Sequence, residues 1–383
     1  MLRFLTAGES HGPGLVTIVE GLPAGMDVSS KGLAEELARR RLGFGRGRRM
    51  QIEQDELEIL SGVRFGRTLG SPVAVVIRNT EWPKWETQMA IEGEAAGRKL
   101  TAPRPGHADL PGMLKYDTHD ARDILERSSA RETAARTVAG YLAKVLLREA
   151  GTEVISHVVA IGDVKAPADP LPVPDDLQAI DDSPVRAFDG TAEKAMIQRI
   201  EQAADERDTL GGVVEVLAYD LPPGLGSHVH WDRKLDARLG KALMSIHAIK
   251  GVEVGDGFDV AARPGSQAHD EIYHEDGSFT RRTNRAGGTE GGMTIGGLLR
   301  VRAAMKPIST LMRPLKTVDV TTKTVEKAFR ERSDVCAVPA AAVVAEQMVA
   351  IVLAQEMQRK FGGDTVADFV AALEAYRRRL SEF

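Results

Sequence analysis

The chain has 383 residues, of which 43% are hydrophobic, so it can bury a large core in one to three domains. Its formal net charge of −5 argues against a general nucleic-acid binder, because non-specific binding of DNA or RNA needs a basic surface. A single cysteine, Cys336, excludes an internal disulfide and a cysteine-built metal site, and we therefore expect a reducing, cytoplasmic location.

Neither export nor membrane insertion is indicated. The first twelve residues, MLRFLTAGESHG, contain no extended apolar run, so we expect no signal peptide. No stretch reaches the roughly 20 apolar residues that a membrane helix needs. We therefore expect no membrane and no nucleic acid as partners, and no metal ion.

Apolar periodicity divides the chain into predicted strands and helices. In chain order these are strands over residues 2–7 and 15–19, a helix over 31–41, strands over 57–61 and 73–78, a helix ending at 148, a strand over 154–161, a helix over 192–209, a strand over 211–218, a helix over 235–244, a strand from 298, a helix over 339–361 and a last helix. Residues 82–97 are expected to form an irregular insertion. The Pro- and Asp-rich segment 163–184 is expected to be an exposed, flexible excursion.

A cluster of arginines follows the first predicted helix, whose N-cap is Ser29. Its six members, separated in part by three glycines, are Arg39, Arg40, Arg41, Arg46, Arg48 and Arg49. Guanidinium groups suit carboxylate and phosphate oxygens, and glycines let the backbone approach a ligand closely. We interpret the cluster as the wall of a pocket for a multiply anionic ligand. The helix dipole alone could account for the first three arginines, and a solvated basic loop or an RNA-binding segment are the alternatives.

Two histidines lie in loops. His11 is flanked by glycines in the turn between the first two predicted strands, where it could also be structural or solvated. His107 lies in the loop over residues 104–112, between Arg104 and Asp109. A histidine can transfer a proton near neutral pH, an aspartate beside it can set its tautomer, and an arginine can hold an anion. The alternative is a surface turn with a chance histidine.

Two further segments suit phosphate or a flat ring. Ser128 and Ser129 are predicted to cap a helix, and with Arg131 they would make an anion site at its N-terminus. The segment 285–297 holds six glycines in thirteen residues, which lets backbone amides pack against a ligand. Neither a Rossmann GxGxxG nor a Walker GxxxxGK[ST] motif occurs, which argues against an ordinary dinucleotide fold or phosphate-loop ATPase.

Six motifs, in order along nearly the whole chain, resemble those of the chorismate synthase family. They are GESHG at residues 8–12, RPGHAD at 104–109, SSARET at 128–133, GVEVGDGF at 251–258, the AGG run from Ala286 and RSDVCAVPA from Arg332. The resemblance implies a lyase that converts 5-enolpyruvylshikimate 3-phosphate to chorismate by 1,4 elimination of phosphate and a ring hydrogen. It also implies a need for reduced FMN without net redox change. The phosphates and carboxylates of substrate and flavin would meet the arginines.

The resemblance also assigns roles to residues. His11 would protonate the leaving phosphate, His107 would assist protonation at the reduced flavin, and Asp334 would help to deprotonate flavin N5. The implied flavin contacts are Ser129, Ala130, Arg131, His247, Ala248, Gly291, Lys306, Pro307, Ile308, Ser309, Thr310 and Arg332. The anion-binding candidates are Arg40, Arg46, Arg49 and Arg104. Of these, Arg40 and Arg46 match positions for a nicotinamide phosphate in the family but suit the substrate equally well.

The chain departs from the family pattern at two places. Many relatives have Asn where this chain has His247, and an Asn-Gly pair is common where the glycine run here ends Met293-Thr294-Ile295-Gly296-Gly297. The chain is also too short for the insertions of bifunctional relatives that reduce flavin with NADPH. We therefore expect a monofunctional enzyme supplied by a separate flavin reductase, with NADPH as the alternative source of reducing equivalents.

The implied fold is a single α+β domain over residues 1–383, a β-α-β layered sandwich with antiparallel sheets around helices, assembled as a homotetramer. Two readings from other classes compete with it. A flavin or NADPH oxidoreductase with net hydride transfer would also use glycine runs and histidines. An RNA-binding protein would interleave aromatic residues with the basic ones, and only Phe44 does so.

Overall fold

Two antiparallel sheets enclose a layer of helices. The computed structural model describes residues 2–46, 56–94, 97–275, 277–329, 331 and 333–383. The four-stranded sheet has the order β1-β2-β6-β3 and the five-stranded sheet the order β10-β15-β9-β7-β8, and neighbouring strands in both run antiparallel. The predicted layered α+β arrangement is confirmed.

The strand bounds agree with the apolar runs of the sequence. The four-stranded sheet contains β1 (Arg3–Ala7), β2 (Gly14–Glu20), β3 (Glu56–Ser61) and β6 (Val73–Arg78), and the five-stranded sheet contains β7 (Glu153–Ile161), β8 (Val164–Lys165), β9 (Gly212–Tyr219), β10 (Ile249–Val254) and β15 (Leu299–Met305). Short hairpins are made by β4 (Val63–Arg64) with β5 (Arg67–Thr68), β11 (Ile272–Glu275) with β12 (Ser278–Arg281), β13 (Thr289–Glu290) with β14 (Met293–Thr294) and β16 (Lys316–Val318) with β17 (Val325–Lys327).

Eleven α-helices lie in the part of the chain that the structure describes. They are α1 (Ser30–Arg41), α2 (Asp109–Tyr116), α3 (Arg122–Leu125), α4 (Glu132–Glu149), α5 (Leu177–Asp182), α6 (Gly190–Asp205), α7 (Leu235–Met244), α8 (Phe258–Ala261), α9 (Gly265–Ala268), α10 (Val338–Phe361) and α11 (Val366–Ser381). Helix α4 packs on the four-stranded sheet and α10 on the five-stranded sheet, and the two helices pack on each other. Their apolar residues form one continuous core with both sheets.

The hydropathy of the central helix α10 differs from the expectation that no stretch of the chain is long and apolar enough for a membrane helix. By length and composition it could cross a membrane, yet 94% of its most apolar window is buried inside the protein. Its periodicity is weak because both sides of the helix face protein, α4 on one side and β7 and β9 on the other. Helix α10 is therefore the core helix of the sandwich.

A buried carboxylate on α10 joins the layers. Glu346 is fully buried, and its oxygens accept hydrogen bonds from Arg39 of α1 at 2.7 and 3.1 Å, Lys144 of α4 at 2.6 Å and Ser156 of β7 at 2.8 Å. Glu36 accepts from the same lysine at 2.7 Å. Burial opposes ionisation of Glu346, but the charges of Arg39 and Lys144 outweigh it, so the pKa of Glu346 is held far below its ordinary value.

The first arginine of the cluster therefore has a structural task. Arg39 bonds Glu346, Glu36 at 2.7 Å and Asp181 at 2.7 Å. Neither the helix dipole nor a ligand is needed to account for it. Asp181 lies on α5, within the segment expected to be an exposed excursion.

That expectation is wrong for the second half of the segment 163–184. Residues 177–182 form α5, where Ile180 is fully buried, and Ser183 is buried beside it. The carbonyl of Pro184 accepts a 2.6 Å hydrogen bond from the amide of Phe44. Tertiary contacts thus order a stretch whose prolines and aspartates indicated a loop.

The predicted helix caps have different outcomes. Ser29 caps α1, since its Oγ accepts a hydrogen bond from the amide of Gly32 at 2.9 Å. The prediction for Ser128 and Ser129 is wrong, because α4 begins at Glu132 and has no side-chain cap. Ser128 instead donates to the Ile124 carbonyl at 2.7 Å.

The buried carboxylate generates a stability prediction. Glu346→Gln removes the charge that compensates Arg39 and Lys144, and we expect it to lower the free energy of unfolding by about 3–5 kcal/mol, as for other broken buried ion pairs. The matched control is Glu58→Gln, which breaks the exposed 2.7 Å pair with Arg78 and should cost less than about 1 kcal/mol. Denaturant titration measures both, and equal losses would contradict the structural role of Glu346.

Candidate active site

One large cleft gathers most of the residues predicted to be functional. It has a volume of about 1160 Å³, and it is lined by loops at the edges of the two sheets and by the first turns of α10. The predicted residues that line it are His11, Arg40, Arg46, Arg104, His107, Ser129, Ala130, Arg131, His247, Ala248, Lys306, Pro307, Ile308, Ser309, Thr310 and Asp334. Residues far apart in sequence therefore meet at one place.

Three predicted residues are not part of this lining. Gly291 lies in the turn between β13 and β14, where the next residue accepts a backbone hydrogen bond from Leu235. It does not line the cleft, and its flavin contact stays a prediction. Arg49 and Arg332 lie outside the residues that the structure describes, as does Arg48.

His11 is held by a carboxylate that the sequence did not indicate. Its Nδ1 lies 2.9 and 3.0 Å from the two carboxylate oxygens of Glu126, and its backbone amide donates to the same group at 2.8 Å. Both side chains are buried. Burial raises the pKa of Glu126, but the hydrogen bonds from His11 and the charge of Arg122 lower it by a larger amount. The pKa of Glu126 therefore lies below its ordinary value. The carboxylate is therefore ionised beside the imidazole.

Trp85 covers the other side of this histidine. The two ring centroids are 3.9 Å apart at an interplanar angle of 32°, which fixes the plane of the imidazole. Trp85 lies just after the short helix Trp82–Lys84, within the insertion expected to be irregular. The insertion thus contributes a wall of the cleft.

His107 has a carboxylate partner that the sequence did predict. Its Nδ1 is 2.5 Å from Oδ1 of Asp109, which is fully buried at the start of α2. Arg104 donates to the same carboxylate through its backbone amide, Nε and Nη2 at 3.0, 2.8 and 3.0 Å, and to Thr310 at 2.9 Å. Burial opposes ionisation, yet the hydrogen bonds from His107 and Arg104 lower the pKa of Asp109 to about 2.

This arrangement changes the interpretation of Arg104. The sequence predicted an anion-binding role for it, and it does line the cleft. Its guanidinium group is nevertheless bound to Asp109 and Thr310, and it stacks over Phe329 at 4.6 Å. Arg104 therefore holds the Asp109 carboxylate next to His107, and this structural role comes ahead of any contact with a ligand.

A third histidine, His247, lies between α7 and β10. Its Nδ1 is buried and has no hydrogen-bond partner among the described residues. Burial is the main cause that lowers the pKa of His247 below its ordinary value, so the ring is neutral at pH 7. A buried, unsatisfied ring nitrogen in a cleft is costly unless a ligand or water bonds it.

The arginines at and after the C-terminal end of α1 line the cleft. Arg40, in the last turn of α1, is buried, 3.5 Å from the hydroxyl of Thr133, and Arg46 pairs with Asp334 at 3.2 Å. The loop between the two arginines packs closely on the protein, since a side chain at Gly45 would contact Ile200 and Cys336 within 3.3 Å. The glycine is thus needed for packing against the loop that carries Asp334.

The cleft carries an excess of positive charge beside an apolar wall. Among its described lining residues there are six lysine or arginine side chains, namely Arg40, Arg46, Lys84, Arg104, Arg131 and Lys306, and three carboxylates, namely Glu81, Glu331 and Asp334. The apolar wall is made by Ile246, Met305, Ile308, Met312 and Val344, among others. No cluster of three or more metal-binding side chains occurs in the described parts of the chain. The arrangement suits an anionic ligand together with a flat apolar ring.

Glu126 and Trp85 were not found from the sequence. Glu126 lies four residues after Arg122, with which it pairs at 2.8 Å, and that spacing is typical of an ordinary helical ion pair. Trp85 lies in a stretch with no periodicity. Only the folded chain brings both against His11.

Comparison with known proteins identifies the family. Residues 2–358 match the family model of chorismate synthase. The chorismate synthases of Acidothermus cellulolyticus and Streptomyces avermitilis are 61% and 59% identical to this chain, with 98% of each chain covered. A crystal structure of chorismate synthase, 41% identical, superposes with a TM-score of 0.80 and covers 100% of this chain and 99% of its own.

The low pKa of Asp109 generates a prediction about pH. A carboxylate whose pKa is near 2 when folded and about 3.9 when unfolded stabilises the fold above pH 4, and this contribution is lost as the pH falls towards 2. Asp109→Asn should therefore be less stable than the wild type at neutral pH, and the difference should narrow between about pH 4 and pH 2. Denaturant titrations at several pH values measure it. A difference that stays constant down to pH 2 would contradict the ionised, bonded state of Asp109.

Proposed function

The chain belongs to the chorismate synthase family of lyases, and on this basis we propose how the described cleft carries out the elimination that forms chorismate in aromatic amino-acid biosynthesis. The substrate is 5-enolpyruvylshikimate 3-phosphate, which loses its phosphate and a ring hydrogen. The observation that carries the proposal is the convergence of two histidine–carboxylate pairs and an excess of cations on one cleft. The RNA-binding and net-redox alternatives have no support from the family.

The cations of the cleft would bind the substrate's phosphate and two carboxylates. Arg40 and Arg46 line the cleft, and Lys84, on the insertion, adds a third cation. Each charge-assisted hydrogen bond contributes roughly 1.5–3 kcal/mol, and several are needed to desolvate a trianion. Arg49 would join them on the basis of its motif. The same two arginines would alternatively hold the phosphate of a nicotinamide cofactor.

Other residues of the cleft fit reduced FMN. The buried, unsatisfied Nδ1 of His247 needs a partner that the described chain does not supply, and the apolar wall beside it suits a flat ring. Ser129, Ala130, Arg131, His247, Ala248 and residues 306–310 would hold the flavin, with Arg332 by motif. When bound, reduced FMN supplies the reducing chemistry that the elimination needs and is recovered, because the reaction has no net redox change.

The two paired histidines would move protons. With Nδ1 bonded to Glu126, His11 would deliver a proton from Nε2 to the leaving phosphate, as a general acid. His107, bonded through Nδ1 to Asp109, would hold a proton on the flavin side of the cleft. Asp334 would act as a base there, with Arg46 restraining its carboxylate.

The assembly and the supply of reduced flavin are further parts of the proposal. Several large apolar side chains are exposed, with exposed fractions of 80% for Phe258, 61% for Ile272 and 56% for Phe279. Such residues favour contacts between copies of the chain, in line with a homotetramer. We also propose a cytoplasmic enzyme that receives reduced FMN from a separate flavin reductase.

The activity is tested by forming chorismate anaerobically from 5-enolpyruvylshikimate 3-phosphate, with FMN either chemically reduced or oxidised. We expect turnover only with reduced FMN, and one phosphate released per chorismate. A third reaction, with NADPH and oxidised FMN, separates the two assignments of Arg40 and Arg46. Turnover there would assign them to the nicotinamide, and no chorismate in any reaction would refute the proposed function.

The two histidines are tested by substitution. His11→Ala and His107→Ala should each lower the turnover rate by about 10² or more, because each removes a general acid–base group. His230→Ala is the matched control, since His230 is exposed and also pairs with an aspartate, Asp232 at 2.8 Å. A variant of either cleft histidine with near wild-type turnover would exclude that histidine from the mechanism.

A further inference from the structure

We infer that Glu126 is a positioning residue for the reaction, which holds the imidazole of His11 in the orientation that a proton donor needs and keeps a carboxylate at its Nδ1. This inference rests on the proposed role of His11. It assigns a task to a buried carboxylate that neither the motifs nor the comparisons single out. The geometry around Glu126 carries the argument.

Glu126 is bound to His11 at two points. Both carboxylate oxygens lie within 3.0 Å of Nδ1, and one of them accepts the backbone amide of His11 at 2.8 Å. The backbone carbonyl of Glu126 also accepts the amide of Ser10 at 3.0 Å. These hydrogen bonds hold the turn between β1 and β2, and with it the imidazole ring of His11, against the C-terminal end of α3.

The position of the ring is fixed from the other side as well. Trp85 stacks on it at 3.9 Å, and the guanidinium of Arg122 lies over Trp85 at 5.2 Å. Rotation of the imidazole would break both the stacking and the bond to Glu126. The proton that reaches a ligand in the cleft must then leave from Nε2.

Glu126 also places a negative charge at the ring. Burial opposes ionisation of Glu126, but the hydrogen bonds from His11 and the charge of Arg122 hold its pKa below the ordinary value, so the carboxylate is ionised where it faces Nδ1. Among the described residues, Arg122 lies 2.8 Å from Glu126, and Glu331 lies 3.5 Å from Arg122. Because Arg122 is shared between two carboxylates, it neutralises Glu126 only in part.

The second histidine makes an informative contrast. Asp109 receives three hydrogen bonds from Arg104, which lies in the same loop. The charge that Asp109 presents to His107 is therefore largely compensated. Of the two carboxylates, Glu126 is the less compensated by an arginine, and it faces the histidine proposed as the donor to the leaving phosphate.

The test is the pH dependence of turnover in Glu126→Gln, measured with saturating reduced FMN. Glutamine keeps the shape and an acceptor oxygen but removes the charge. We expect turnover to fall by about 10- to 100-fold near neutral pH, and the alkaline loss of activity to begin at lower pH than in the wild type. Glu126→Asp, which restores a carboxylate, should recover part of the rate and of the alkaline range.

The matched control is Glu215→Gln on β9. Glu215 is also buried, and it pairs with a buried histidine, His157, at 3.0 Å, but neither residue lines the cleft. This variant should lose thermal stability without a change in the pH profile. A purely structural role for Glu126 would give the same behaviour in both variants, because lost packing does not move a titration.

The outcomes separate this inference from the proposed function. If His11→Ala is impaired while Glu126→Gln keeps wild-type turnover and the wild-type pH profile, the inference about Glu126 is wrong and the role of His11 stands. If His11→Ala is itself unimpaired, the role of His11 fails and the inference fails with it. If Glu126→Gln does not fold, Glu126→Asp carries the test, and an unshifted profile in that variant with full turnover would overturn the inference.

Discussion

Burial of the Glu346 carboxylate is the constraint on which the layered structure depends. An isolated charge in a helix core would be prohibitively costly, so the fold must bring Arg39 and Lys144 to it. This requirement sets how α1 and α4 lie against α10. Its consequence reaches the cleft, because Arg40, the residue after Arg39 on α1, and Val344, two residues before the carboxylate on α10, both line it. The same ionic cluster that joins the layers therefore positions residues of the cleft wall.

Buried carboxylates also organise the cleft. Glu126 and Asp109 are buried next to His11 and His107, and six lysine or arginine side chains line the same cleft. The two carboxylates differ in how far an arginine compensates them, since Arg104 donates three hydrogen bonds to Asp109 while Arg122 is shared between Glu126 and Glu331. The two histidines therefore lie in different electrostatic surroundings.

Much of the site could be predicted from the sequence, because its residues lie in short motifs whose members are close in the chain and can interact chemically. The pairing of His107 with Asp109 follows from two residues of separation in a rigid loop. The errors share one cause, which is that sequence spacing carries no information about distant partners. Arg39 was grouped with ligand-binding arginines because its partner Glu346 lies 307 residues away.

The sequence by itself determined the family, the order of strands and helices, and most of the residues that line the cleft. These follow from local patterns, since hydrophobic periodicity and short motifs are properties of neighbouring residues. The tertiary structure alone decided which charges are structural and which face a ligand. It paired Glu126 with His11 across 115 residues, bound Arg46 to Asp334 and left the Nδ1 of His247 unsatisfied. Such pairings arise only when burial removes water and forces each charge to find a partner from whichever segment the fold brings near.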